Sequence, residues 1–170
     1  MTVAQRARKL ALTAHVVSSV GWLGAVTGFL ALAIAGRTSD DPQLVRGTYL
    51  AMEVVGWYVI VPLCGAALAT GLLQGVITKW GLLQHYWVVI KLLMTVFATI
   101  VLVLHMGPVG IIADEARKSV LDTDELSGLR LQLVADAAAA ILLLLVAATM
   151  SVFKPSGRTR YGWRKLRRGQ

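Results

Sequence analysis

The sequence predicts an all-α protein, a bundle of four transmembrane helices, on three observations. Hydrophobic residues make up 56% of its 170 residues and charged residues only 15%, which is too apolar for an ordinary water-soluble domain. The apolar residues fall into four long runs, and the basic residues concentrate at the two ends of the chain. The single cysteine, Cys64, excludes an intrachain disulfide and a cysteine zinc site.

Each of the four apolar runs reaches the length of about 20 residues that is needed to cross a bilayer. We expect the spans Leu10–Ile34, Leu50–Ile77, Tyr86–Ile112 and Leu129–Phe153. Residues 1–153 would form the membrane domain and residues 154–170 a basic cytoplasmic tail. The first run is longer than the ~7–15-residue apolar region of a secretory signal. We therefore expect it to be retained as a helix.

The distribution of charge predicts the orientation of the chain. Three bases precede the first span and seven follow the last, with no acid in either set. Because cytoplasmic flanks carry the excess of Lys and Arg, both termini are predicted to lie in the cytoplasm, in a multi-pass membrane protein. The tail is then expected to meet anionic lipid. The net charge of +8 is explained by these flanks, so nucleic acid is not an expected partner.

Local signals predict where helices begin and break. Asp41-Pro42 is a good start for the second helix, and Pro62 is expected to kink it. Asp122 with Glu125 forms a capping-box-like pair before the fourth helix. Gly107-Pro108 leaves two alternatives open for the third helix, which either ends there or continues with a kink.

Ionisable side chains inside spans are costly and point to function. His15 and Lys91 are predicted to share a layer near the cytoplasmic side, with His85 at the interface below. Lys91, taken by itself, needs no function, because its long side chain can reach the lipid headgroups. His85 is accounted for as an interfacial residue beside an aromatic belt. His15 is too short to reach the interface, so it is either functional or a packed hydrogen-bonding residue, with Ser18 as a neighbour one turn away.

A second polar layer is predicted near the outer side. It contains Glu53, His105 and Asp136, which either neutralise one another or keep one carboxyl protonated. Two alternatives stay open: Glu53 lies near water at the outer face, or His105 lies at the mouth of a helix that ends at Gly107.

Small residues predict close helix packing. Gly24-x-x-x-Gly28 and Gly71-x-x-x-Gly75 permit close backbone approach in lipid. They serve either packing within the bundle or contact with a partner helix or a second copy of the chain.

The pattern His-x6-Trp-x-Gly, from His15 to Gly24, resembles the first helix of several small bacterial membrane families. Over nearly the whole chain the sequence resembles the four-helix proteins of domain of unknown function 2269, a name that implies no activity. It is more distantly similar to HemJ, a family of four-helix protoporphyrinogen oxidases that bind b-type haem. The segment from Trp87 to Leu92 resembles the third helix of that family. The resemblance implies a protein of the bacterial cytoplasmic membrane in which His15 is an axial haem ligand and Lys91 has a functional role. The copper-resistance CopD membrane domain shares the same opening pattern.

Three hypotheses follow. In the first, the protein binds haem b or has a redox-related function through His15, with Lys91 near a propionate or a substrate carboxylate. In the second, it is a non-catalytic membrane scaffold or a partner-binding subunit without a cofactor. In the third, the two polar layers belong to a path for protons or small solutes. The sequence does not decide whether the protein is an enzyme.

Overall fold

The computed structural model describes residues 3–77, 81–118 and 124–168. Four of its helices are long and apolar enough to cross a membrane, so the prediction of an all-α bundle of four membrane helices is confirmed. They are α1 (Val3–Thr38), α2 (Pro42–Ile77), α3 (Tyr86–Lys118) and α4 (Asp124–Phe153), and a short basic helix, α5 (Arg160–Arg168), follows. Within the described residues, α1 and α3 end later than the predicted spans, and α2 and α4 begin earlier.

The helices pack in a ring in chain order. α1 lies against α2 and α4, and α3 lies against the same two helices on the opposite side. Because consecutive helices run in opposite directions, this is an up-down-up-down bundle. The end at which α1 begins and α4 ends is called the inner end here, and the opposite end the outer end.

Buried apolar side chains concentrate toward the outer end. The largest fully buried ones include Tyr49 and Met52 of α2, Ile112 of α3 and Leu133 of α4. Tight packing therefore holds the outer half together, while much of the remaining apolar surface is exposed, as expected for side chains that contact lipid.

Helix α2 begins as predicted. Asp41 precedes its first residue, Pro42, and the Asp41 side chain accepts a hydrogen bond from the Gln43 N–H at 2.9 Å. The irregularity inside α2 is a π turn, Gly56–Ile60, in which the N–H of Val61 bonds to the carbonyl of Gly56. Proline cannot donate the next backbone hydrogen bond, so the wider turn just before Pro62 absorbs the disruption that the sequence predicted at the proline.

The two other predicted helix boundaries have different outcomes. α3 continues through Pro108 as far as Lys118, so the alternative in which the helix ends at Gly107 is wrong. Asp122 of the predicted capping pair lies outside the described residues.

The tail is tied to the loop between α2 and α3 at the inner end. The Thr159 N–H donates to the Gln84 carbonyl at 3.0 Å, and the Tyr86 N–H donates to the Gly157 carbonyl at 3.3 Å. Gly162 lies so close to the Gln84 carbonyl that a Cβ atom there would overlap it. The tail therefore has a fixed place beside the membrane domain.

Candidate functional site

Residues from all four helices meet in a polar group toward the inner end, called the inner cluster here: His15, Thr70, Lys91 and Ser151. His15 Nδ1 lies 3.1 Å from both the Ala67 carbonyl and the Thr70 hydroxyl. Lys91 Nζ lies 3.5 Å from His15 Nε2 and donates to Ser151 Oγ at 2.6 Å. The structure thus brings together the two residues that the sequence assigned to the inner layer.

The contacts of His15 determine which ring nitrogen carries the proton. A carbonyl oxygen can only accept a hydrogen bond, so the Nδ1 that faces Ala67 carries the proton. Nε2 then has the free lone pair and accepts from the Lys91 ammonium. A neutral imidazole in this orientation is fixed at Nδ1 and offers Nε2 as a donor atom for a metal ion.

A glycine makes room for the His15 ring. A Cβ atom at Gly71 would lie 3.1 Å from His15 Cε1, closer than ordinary van der Waals contact. One of the two glycine motifs therefore serves packing inside the bundle at this position. The Ser18 hydroxyl donates instead to the main-chain carbonyl of His15 at 3.1 Å, so it is a neighbour in sequence without being a partner of the ring.

A second polar group lies in the outer half. His105 Nδ1 and Asp136 Oδ2 are 2.9 Å apart, and we call this pair the outer dyad. The His105 side chain is 9% exposed and that of Asp136 36%. Phe29 of α1 meets the His105 ring edge-on, with ring centroids 5.9 Å apart.

Glu53, the third residue of the predicted outer layer, pairs elsewhere. Its carboxylate accepts a hydrogen bond from Arg117, which also donates to Asp114 at 2.6 Å. Glu53 therefore bridges α2 to the outer end of α3, while His105 and Asp136 bridge α3 to α4.

The outer dyad forms part of the wall of an apolar pocket, called the outer pocket here. The outer pocket is a cavity of about 130 Å³, smaller than the ~300–1,000 Å³ that is usual for ligand sites. All four helices line it, and its wall beside the dyad includes Trp22, Phe29, Phe97 and Ala140. The space exists because α4 presents alanines where larger side chains would fill it.

Hydroxyl groups lie between the two polar layers on α3. Thr95 donates to the Lys91 carbonyl and Thr99 to the Thr95 carbonyl, at 2.9 and 2.8 Å. Cys64 Sγ lies 3.2 Å from the Thr99 hydroxyl. Both threonines thus use their protons to bond their own helix.

The chain matches no protein-family model, no curated protein and no solved structure.

Sequence reasoning missed three participants: Thr70, Ser151 and Arg117. Hydroxyl residues are common in membrane helices, and nothing in the local sequence distinguishes Thr70 or Ser151. Arg117 could have been found from the sequence, because Asp114 and Arg117 are spaced to form an ion pair on one helix face. The sequence did not determine whether the helix continues past Pro108, so this pair was not predicted.

Proposed function

We propose that this small multi-pass membrane protein binds a b-type haem, with the imidazole of His15 as an axial ligand of the iron. The observation that supports the proposal is the orientation of the ring: Nδ1 donates to the Ala67 carbonyl, so the lone pair is on Nε2, where the Lys91 ammonium now contacts it. Histidines that bind metal ions commonly have their other ring nitrogen held in this way.

The inner cluster offers a ligand atom and a positive charge that this group could use. The porphyrin supplies four ligands to the iron, so the protein needs to contribute only one or two side chains, and His15 offers one. Lys91 would leave Nε2 when the iron binds, and its ammonium would pair with a propionate carboxylate. When bound, haem supplies one-electron redox chemistry. The residues of the chain hold the group and keep a positive charge beside it.

The test is the absorption of protein purified in mild detergent from cells that make haem. We expect a Soret band that shifts on reduction, that is lost in His15→Ala and that is kept in His85→Ala, a matched change at the inner interface. Protein that stays colourless after haem is added contradicts the proposal. A band that survives His15→Ala and is lost in His105→Ala contradicts the assignment to His15.

A second candidate function, a partner-binding subunit without a cofactor, is supported by a different observation. Gly24 and Gly28 lie on the exposed side of α1, and a Cβ atom at either would meet nothing within 4 Å. Small residues in this spacing let a second helix approach closely in lipid.

Crosslinking in membranes tests the second candidate. We expect the combined change of Gly24 and Gly28 to leucine to abolish crosslinked species. Gly65→Leu, another exposed glycine with open space around it, should keep them. A chain that is monomeric in both cases contradicts this function.

A further inference from the structure

One ring nitrogen of the outer dyad is buried without a partner. His105 Nδ1 bonds Asp136, but His105 Nε2 is buried and has no hydrogen-bond partner among the described residues. Leaving a buried polar atom unpaired costs free energy, and native structures pair most of them. The nitrogen belongs to a side chain that lines the outer pocket, so a ligand in that pocket is placed to supply the missing partner.

The dyad also determines what kind of partner is missing. An ionised carboxylate can only accept a hydrogen bond, so a neutral His105 ring has its single proton on Nδ1, facing Asp136. His105 Nε2 is then an acceptor. The group that satisfies it must be a donor, such as a hydroxyl.

The other lining residues of the outer pocket indicate the chemical character of the rest of the ligand. Its walls include the aromatic side chains of Trp22, Phe29 and Phe97, and the other lining residues are almost all apolar. Aromatic walls favour an aromatic ring, which packs against them edge-on or offset. Phe97 is 60% exposed on the outside of the bundle, so one wall of the pocket borders the lipid. A ligand that is dissolved in the bilayer can reach the pocket from the side.

We infer that the outer pocket binds a quinol: a lipid-soluble aromatic ring with an apolar tail, whose hydroxyl donates a hydrogen bond to His105 Nε2. The inference is independent of haem at His15. Trp22, at the pocket wall, is seven residues along α1 from His15, about 10 Å for a helix. No residue of the inner cluster lines the outer pocket.

Three matched ligands test the hydrogen bond in full-length protein held in lipid nanodiscs: decylubiquinol, its dimethyl ether and decylubiquinone. The ligand retained after rapid gel filtration is quantified, and the amount in empty nanodiscs is subtracted. Only the quinol has a hydroxyl donor. We expect it to bind about tenfold more tightly than the other two, the equivalent of one hydrogen bond.

The dyad is tested by Asp136→Asn. An amide can donate or accept, so it no longer fixes the proton on Nδ1. The affinity for the quinol should then fall to within about twofold of the quinone, the change expected when one hydrogen-bond preference is lost. A preference that is unchanged in Asp136→Asn, or a wild-type protein that prefers the ether or the quinone, overturns the inference.

The pocket is tested by a pair of substitutions on α4. Ala140→Leu fills the pocket, whereas Ala135→Leu adds the same side chain at an exposed position that does not line it. We expect Ala140→Leu to lose quinol binding and Ala135→Leu to retain it, with helix content and elution volume showing that both variants fold. Equal binding by the two variants overturns the inference. So does displacement of the quinol by an equal concentration of farnesol, an isoprenoid alcohol without a ring.

Discussion

His15 Nε2 and Lys91 Nζ lie 3.5 Å apart although 76 residues separate them in sequence. The ammonium reaches across from α3 to an imidazole on α1, and Ser151 of α4 accepts a hydrogen bond from it at 2.6 Å. Lys91 is thus held inside the bundle by two partners, and its position follows from these contacts as well as from the length of its stem.

The first prediction concerns the role of Lys91 toward the proposed haem. Lys91→Met removes the ammonium and leaves the His15 ring in place. We expect the Soret band to remain, while haem transfers to apomyoglobin about tenfold faster, because one charge-assisted hydrogen bond is lost. Lys91→Arg keeps the charge and should stay close to wild type. Equal transfer rates in all three proteins would show that Lys91 does not hold the group.

The second prediction concerns the outer dyad. In a double-mutant cycle with His105→Ala and Asp136→Ala, we expect a coupling free energy between about 0.6 kcal/mol, the average for polar contacts between membrane helices, and about 1.7 kcal/mol, the maximum. The free energy of unfolding, measured by SDS titration in mixed micelles, gives this value. Changes that simply add would mean that the two residues do not stabilise each other.

The third prediction compares two glycines of α2. Gly65→Ala should raise the free energy of unfolding by up to roughly 0.5–1 kcal/mol, because alanine favours the helix and the new methyl group meets nothing within 4 Å. Gly71→Ala should be less stable than Gly65→Ala, since its methyl group presses on His15. The same SDS titration measures both, and a Gly71→Ala protein at least as stable as Gly65→Ala contradicts the packing described for His15.

The fourth prediction concerns orientation in the membrane. In a Cys64→Ala background, a cysteine at Asp40 lies at the outer end of the bundle and one at Ser156 at the inner end. Because basic flanks stay in the cytoplasm, an impermeant maleimide added to intact cells should label the first and not the second. The reverse pattern would invert the topology.

The fifth prediction concerns the tail and anionic lipid. Trypsin should cleave the tail more slowly in nanodiscs that contain phosphatidylglycerol than in phosphatidylcholine nanodiscs, because each base near an anionic surface is attracted by ~1 kcal/mol. High salt should remove the difference. Gly162→Val, whose side chain would overlap the Gln84 carbonyl, should speed cleavage in both lipids. Cleavage that is independent of lipid and salt would contradict the expected contact.

The sequence by itself determined the number of membrane helices and the start of α2. These properties depend on local quantities: the length and hydrophobicity of a run, and a side chain such as Asp41 that caps the turn after it. The approximate depth of each polar residue also follows from the sequence, because a helix rises by a constant amount per residue. The predicted depths correctly placed His15 level with Lys91, and His105 level with Asp136.

Only the tertiary structure decided which residues of one layer touch. Contact depends on how each helix is rotated about its axis and on which helix lies beside it, and neither is encoded in depth. The π turn at Gly56–Ile60 shows the reason. A wider turn takes up one more residue, and one residue of a helix corresponds to about 100° of rotation. The side chains of α2 before the turn are therefore rotated about the helix axis, relative to those after it, from the positions that a regular helix predicts. Glu53, just before the turn, pairs with Arg117. His105 Nδ1 bonds Asp136, while His105 Nε2 at the wall of the pocket has no partner among the described residues.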